Sequence, residues 1–281
     1  MVKKSNNDLF ILSNREIKWL YKNNNSNNWI IKTIITFNQC KCLDFSVVRY
    51  NENKFIIYFG EYKRNDLMGP VKLFAYYSDK NTTIEISNFD KNFINHIHSI
   101  IPDLQRKQLF ILTGDFGERV GIYIIKMEDY FNYSKPIPYK VGSQIYRAAW
   151  GYLYNDELIY ATDSQIDENY LIALDIKNKS ISKLAILESS SIYSFKSNYN
   201  IYFSTVVEPK KFKNRSVFNY FSKNYAFNMN YYYLYNFDLS KKSLIKIQSK
   251  KKSFIPAGIS GFGTYKFCGQ CDNFFYIREQ G

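Results

Sequence analysis

Histidine occurs twice in these 281 residues, proline six times, glycine twelve times and cysteine four times. A metal centre built on histidine alone is therefore excluded, and any metal held by His96 and His98 must recruit carboxylates as well. No stretch of about 18 apolar residues exists, so no helix of this chain crosses a bilayer. Near the N-terminus, Phe10-Ile11-Leu12 is interrupted by Ser13 and Asn14, too short a run for the apolar segment of a secretion signal. The expectation is a soluble, cytoplasmic protein without a membrane span. Phosphate loops, dinucleotide fingerprints and Gly-x-Ser-x-Gly elbows are missing too, so no nucleotide cofactor is expected.

What is abundant points to β structure. Tyrosine (26) and phenylalanine (23) dominate, 19% of residues are aromatic and 46% are apolar, which is material for a sizeable core and excludes disorder over most of the chain. Tyr, Phe, Ile and Val favour strands because their bulky side chains pack on a pleated surface. The formal charge of +13 admits an anionic partner. It is equally the product of an AT-biased coding sequence, in which Lys, Asn, Ile, Tyr and Phe rise together as a solvated surface. Nucleic acid is not the expected partner. Were it one, Lys250-Lys251-Lys252 would contribute and affinity would fall steeply with salt.

Five apolar runs each end in a carboxylate: Phe55 to Glu61, Leu109 to Asp115, Leu158 to Asp163, Ile201 to Glu208 and Phe274 to Glu279. The acids are spaced by 54, 48, 45 and 71 residues. Each run follows another strand-like segment, and in the complete units two more come after it. A period of 40 to 50 residues with four short strands is the mark of a propeller. The sequence therefore predicts an all-β, five-bladed β-propeller in one domain, with blades at about 42–88, 94–141, 145–188 and 191–254. The fifth joins 261–281 to N-terminal strands within 8–37, expected at Phe10 to Leu20 and Trp29 to Phe37, which closes the ring and removes exposed sheet edges. The longest interval holds a basic and aromatic insertion, 210–230. It reads either as a surface that stacks on sugars or bases, or as a loop packing its own aromatics.

His96 and His98 stand one residue apart at the start of the second blade's inner strand, and alternate residues of a strand share a face. They can hold a divalent metal with Asp115, Asp163 or Glu208, transfer protons, or form a hydrogen-bonded structural pair. Arg147 begins the third blade's inner strand, at the place equivalent to the histidines. Its guanidinium can bind a ligand carboxylate or tie neighbouring blades by pairing with Asp115 or Asp163. The repeated acids can equally accept backbone hydrogen bonds at strand ends. Cys40, Cys42, Cys268 and Cys271 form a C-x-C and a C-x-x-C at opposite ends of the chain, readable as a zinc clamp or as buried thiols.

The order His96-Ile97-His98, Thr113-Gly114-Asp115, Gly121-Ile122-Tyr123, Gly142-Ser143-Gln144 with Arg147, Thr162-Asp163-Ser164 and Ser204 to Pro209 resembles the bacterial sialidase-like propellers of the Asp-box, or BNR-repeat, type. Within it, Gly114-Asp115-Phe116-Gly117-Glu118 keeps the Asp-x-Gly of the box. The resemblance covers about residues 94–210. It implies a pocket formed by His96, His98, Asp115, Arg147, Asp163 and Glu208, and a protein associated with surface polysaccharides. The function expected is binding or modification of an acidic glycan, by glycosidase-like hydrolysis or by a lyase reaction if the protein is an enzyme. Asp163, Glu208, Asp115 and His98 would then be catalytic, with Arg147, His96, Gln144 and Glu61 binding substrate and His96 and His98 holding any metal. The competing expectation is a non-catalytic protein-interaction module that grips its partner through the propeller's top face and the insertion 210–230.

Overall fold

In the computed structural model the described residues are 2–5, 8–13, 15–22, 28–38, 41–51, 54–63, 65, 69–114, 117–207, 231–252, 263–271 and 274–280. Asp115, Glu208, Cys40 and the insertion 210–230 lie outside them, as do the side chains of Cys268 and Cys271. The fold is all-β, a five-bladed β-propeller, with no α-helix among the described residues.

Each blade is a four-stranded antiparallel meander in chain order. The first contains β1 (Val2–Ser5), β2 (Asp8–Ser13), β3 (Glu16–Lys22) and β4 (Trp29–Thr36). The second contains β5 (Phe45–Asn51), β6 (Lys54–Gly60), β7 (Val71–Tyr77) and β8 (Thr82–Phe89). In the third are β9 (Ile97–Asp103), β10 (Gln108–Thr113), β11 (Gly121–Lys126) and β12 (Ile137–Val141). The fourth is made of β13 (Tyr152–Tyr154), β14 (Glu157–Ala161), β15 (Asn169–Asp175) and β16 (Ile181–Leu187). The last four-stranded sheet has β17 (Ser191–Ser197), β18 (Asn200–Thr205), β19 (Tyr231–Asp238) and β20 (Ser243–Lys251). A hairpin of β21 (Thr264–Cys271) and β22 (Phe274–Gln280) forms a two-stranded sheet.

The N-terminal segment differs from the sequence expectation. The stretch 10–20 is not one strand but a hairpin, turned between Ser13 and Glu16, and β1 adds a further strand. The N-terminal residues thus complete a four-stranded sheet by themselves, where the sequence had them lending two strands to a blade shared with the C-terminus.

Middle strands are the best sequence signals because they are buried on both faces: every residue of β10, and all of β6 except Lys54, is buried. Outer strands such as β20 are mostly exposed. Few glycines are needed at the hairpin tips. Asn81, Lys107, Asn155, Lys179, Asn198 and Lys242 take the left-handed conformation there, with φ between 48° and 61°. Asparagine tolerates this well because its short polar side chain bonds locally.

By their contacts the residues divide into two compact units, 1–142 with 268–276 and 143–267 with 277–281. Within the first, one cluster packs Tyr58, Leu73, Ile100, Ile111 and Tyr123, and another packs Phe10, Ile17, Phe45, Phe55 and Cys42. Cys42 is thus a core residue, 6% exposed. Within the second unit, Trp150, Ile159, Leu171, Phe203 and Phe237 form the main cluster.

A tyrosine network joins the second and third blades in the first unit. The Tyr133 hydroxyl lies 3.1 Å from the hydroxyls of both Tyr58 and Tyr77, and Tyr77 and Tyr133 each donate to the Tyr130 carbonyl at 2.6 and 2.7 Å. Burial pushes the Tyr58 and Tyr133 phenols far above the ordinary tyrosine value of 10.0. Above that value the unfolded chain releases phenolic protons that the folded chain retains, so the contribution to stability is full below pH 10 and falls as pH rises. Tyr133→Phe leaves the Tyr58 hydroxyl without this partner. It is expected to cost about 1–3 kcal/mol in urea unfolding at neutral pH and to flatten the loss of stability above pH 10.

Candidate functional site

One main-chain pattern recurs where the first strand of a blade begins. The residue just before that strand accepts a hydrogen bond, through its carbonyl, from the N–H of a residue just past the end of the second strand. Tyr62 donates to Lys41 (2.7 Å), Gly114 to His96 (3.5 Å), Asp163 to Arg147 (2.9 Å) and Val206 to Ser190 (2.9 Å). Lys41, His96, Arg147 and Ser190 are therefore equivalent positions in four successive blades, facing Tyr62, Gly114, Asp163 and Val206. The equivalence of Arg147 with the histidine segment, expected from sequence, holds in this backbone register.

The residue immediately before each facing position has a second duty. Its side-chain oxygen accepts an N–H from the third strand: Thr113 from Gly121 (3.0 Å), Thr162 from Tyr170 (2.8 Å) and Thr205 from Tyr233 (3.0 Å). In the second blade a carboxylate does this work, since Glu61 Oε2 accepts from the Lys72 N–H at 3.0 Å and from Lys63 Nζ at 3.1 Å. This corrects the sequence alignment, which matched Glu61 with Asp115 and Asp163. Glu61 is the structural counterpart of Thr162, one position earlier. Asp163 corresponds to Gly114, and Asp115 falls one residue further on. Threonine and glutamate both offer an oxygen at the required reach, which hid the offset.

In the first unit both imidazoles share a face, as their spacing predicts, and their Nε2 atoms are 3.2 Å apart. His98 is 4% exposed and His96 half-buried. The Tyr62 ring packs edge-on to His96 with centroids 4.7 Å apart, and lies 6.1 Å from His98. Gly114 is required here by space: a Cβ at that position would sit 2.0 Å from His98 Nε2 and 2.3 Å from His96 Nε2.

The nitrogen separation is compatible with two chemistries. It is a hydrogen bond between one protonated and one unprotonated Nε2, and it is close to the spacing of two imidazoles on neighbouring positions of one divalent ion. No group of three or more His, Cys, Asp or Glu among the described residues is arranged to hold a metal. Asp115 lies outside the described residues, and the Glu61 carboxylate is engaged by Lys63 and the Lys72 amide.

In the second unit, Gln144 to Tyr146 form a short 3₁₀ turn started by Ser143, and Arg147 closes it. Arg147 therefore precedes the inner strand, which begins at Tyr152, rather than opening it. Its guanidinium pairs with Asp163 Oδ2 at 3.3 Å, with the two side chains 7% and 5% exposed. The pair ties the lead-in of the first strand to the end of the second within one blade, where the sequence had suggested a bridge between neighbours. Gln144 is buried and its carbonyl accepts the Arg147 N–H at 3.1 Å. Beside them, Asn169 accepts from Thr162 Oγ1 (2.9 Å) and the Ser164 N–H (2.8 Å), and donates to the Ser164 carbonyl (2.9 Å), which fixes the loop after Asp163.

Sequence reasoning missed Lys41 and Tyr62. The only signal was their register: Lys41 precedes Cys42 and β5 as His96 precedes β9, and no acid or histidine marks the spot.

No protein-family model matches the sequence, and no curated protein matches it. Solved structures do. The tricorn protease is similar at 11% identity with a TM-score of 0.53, over 87% of this chain and 26% of that one. Oligogalacturonate lyase from Vibrio parahaemolyticus is similar at 11% identity with a TM-score of 0.53, over 98% of this chain and 74% of its own. An oligogalacturonate lyase in complex with manganese is similar at 9% identity and TM-score 0.52, over the same shares. What they share with this chain is the propeller fold. At these identities nothing finer passes between them, and kinship with the Asp-box propellers rests on the motif order alone.

Two outcomes follow from the geometry. Gly114→Ala forces the histidines apart and is expected to cost about 1–3 kcal/mol, with displaced imidazole NMR signals. Arg147→Met removes the guanidinium paired with the buried Asp163 carboxylate and is expected to cost about 3–5 kcal/mol, whereas Arg147→Met with Asp163→Leu recovers most of that loss in chemical denaturation.

Proposed function

We propose that this chain is a carbohydrate-binding or carbohydrate-modifying propeller that acts on an acidic glycan of a surface polysaccharide or glycoconjugate. The observation that carries the reading is the pair of close-set imidazoles, His96 and His98, packed against Tyr62 at the entrance of the third blade. The fold is shared with a lyase named for an acidic oligosaccharide, one structure of which holds manganese. The ordered motifs from His96 to Glu208 support kinship with the sialidase-like propellers as the finer form of this proposal.

The roles follow from chemistry. Imidazoles can hold or move a proton at the Nε2 atoms, and an aromatic edge beside them gives a sugar an apolar surface to pack on. His96 and His98 would also be two ligands of a divalent ion, with Asp115, next to Gly114 in the chain, a further candidate; such an ion would supply positive charge to a glycan carboxylate. Within the first unit Asp115 would assist the imidazoles; within the second, taken by itself, Arg147 and Gln144 would orient a substrate and Asp163 and Glu208 would act as acid and base or nucleophile. Glu61 has a structural duty at the third-strand N–H, and we assign its contribution to holding the Tyr62 segment in place.

Uronic-acid oligosaccharides are the test substrates, incubated with the protein with and without added manganese. A lyase leaves an unsaturated, ultraviolet-absorbing end and a hydrolase does not, so the products separate the two reactions. His98→Ala, Asp163→Asn and Glu208→Gln are each expected to lower turnover by a hundredfold or more, read on the folded fraction because Asp163→Asn also breaks the buried pair with Arg147. If no acidic glycan is bound or turned over, or if all three variants keep full activity, the proposal is wrong.

A further inference from the structure

Several basic side chains of the first unit already have a carboxylate. Lys18 is 3.0 Å from Glu16, Lys63 is 3.1 Å from Glu61, Lys72 is 2.7 Å from Glu85, and Arg49 pairs with Asp8. Two do not. Among the described residues neither Arg15 nor Lys41 has an acidic partner within ion-pair distance, and both are exposed. They line the same open cleft of about 570 Å³ in the first unit, together with Glu16, Thr36, Phe37 and Asn38.

The backbone holds both cations in place. The Arg15 carbonyl accepts the Phe37 N–H at 2.7 Å, and Arg15 Nη1 donates to the Asn38 carbonyl at 3.2 Å, which orients the guanidinium. Lys41 exchanges two main-chain hydrogen bonds with Tyr62, at 3.2 and 2.7 Å, and Tyr62 is the ring packed against His96. Lys41 is also the register equivalent of His96. Lys41 therefore connects the cleft to the histidine pair within the first unit, through its main-chain pairing with Tyr62.

From this we infer that Arg15 and Lys41 form a subsite for the carboxylate of a uronic-acid residue, one sugar position away from the histidines. The Glu16 carboxylate in the cleft is occupied by Lys18, so the local charge favours an anion. Thr36 and Asn38 offer polar atoms to sugar hydroxyls, and a guanidinium beside an ammonium suits a carboxylate. This assignment rests on the glycan reading above and adds to it the residues that select acidic over neutral glycans.

The test is calorimetric titration of the full chain with a uronic-acid tetrasaccharide and with its carboxyl-reduced, neutral counterpart. The proteins compared are the wild type, Arg15→Ala/Lys41→Ala and His96→Ala. The double variant is expected to bind the acidic tetrasaccharide about tenfold more weakly and with a shallower salt dependence, with its affinity for the neutral sugar unchanged. Both side chains are exposed, so the melting temperature should not move. If the wild type binds the acidic sugar and the double variant binds it equally well, the subsite is refuted while the glycan reading stands. If the wild type does not bind it at all, the glycan reading fails and the assigned ligand with it.

Discussion

The candidate site depends on a main-chain hydrogen bond that recurs in four blades, from the residue just past the second strand to the residue that leads into the first. That bond sets which side chains face each other at the blade entrance. In the third blade it brings Gly114 under two imidazoles, and only a residue without a Cβ leaves them room. In the fourth it puts a buried aspartate opposite a buried arginine. The second blade receives Tyr62 opposite Lys41. One backbone device thus presents a different chemistry in each of these blades.

The same device is supported from behind. An oxygen from Thr113, Thr162, Thr205 or Glu61 takes up the third-strand N–H next to each of these entrances, so that donor is satisfied. Asn169 extends this in the fourth blade by fixing the loop after Asp163. Farther out, tyrosine hydroxyls meeting at Tyr133 link the second and third blades, and their raised phenol pKa values are the electrostatic signature of that dry contact.

The fold was legible in the sequence because the second strands are buried on both faces. Phe55 to Gly60 and Leu109 to Thr113 read as continuous apolar runs, and their recurrence gave the period. The N-terminal hairpin was not legible. Its turn at 13–16 lacks glycine or proline, so Phe10 to Leu20 read as a single strand. The site was legible where residue types are rare, as with the two histidines, and where the register could be carried from blade to blade, as with Arg147. It was obscured at Glu61, whose carboxylate substitutes for a threonine hydroxyl and so mimicked the repeated acids. Lys41 was invisible among many lysines, because only the backbone register distinguishes it.

The most direct test of the account uses the scarcity of histidine. With two imidazoles in the whole chain, long-range ¹H–¹⁵N NMR spectra of the side chains give one set of signals for His96 and one for His98. Addition of a uronic-acid oligosaccharide should shift both sets, and a neutral oligosaccharide of the same length should leave them in place. Imidazole signals unmoved by saturating acidic glycan would contradict a ligand site at the His96, His98 and Tyr62 cluster.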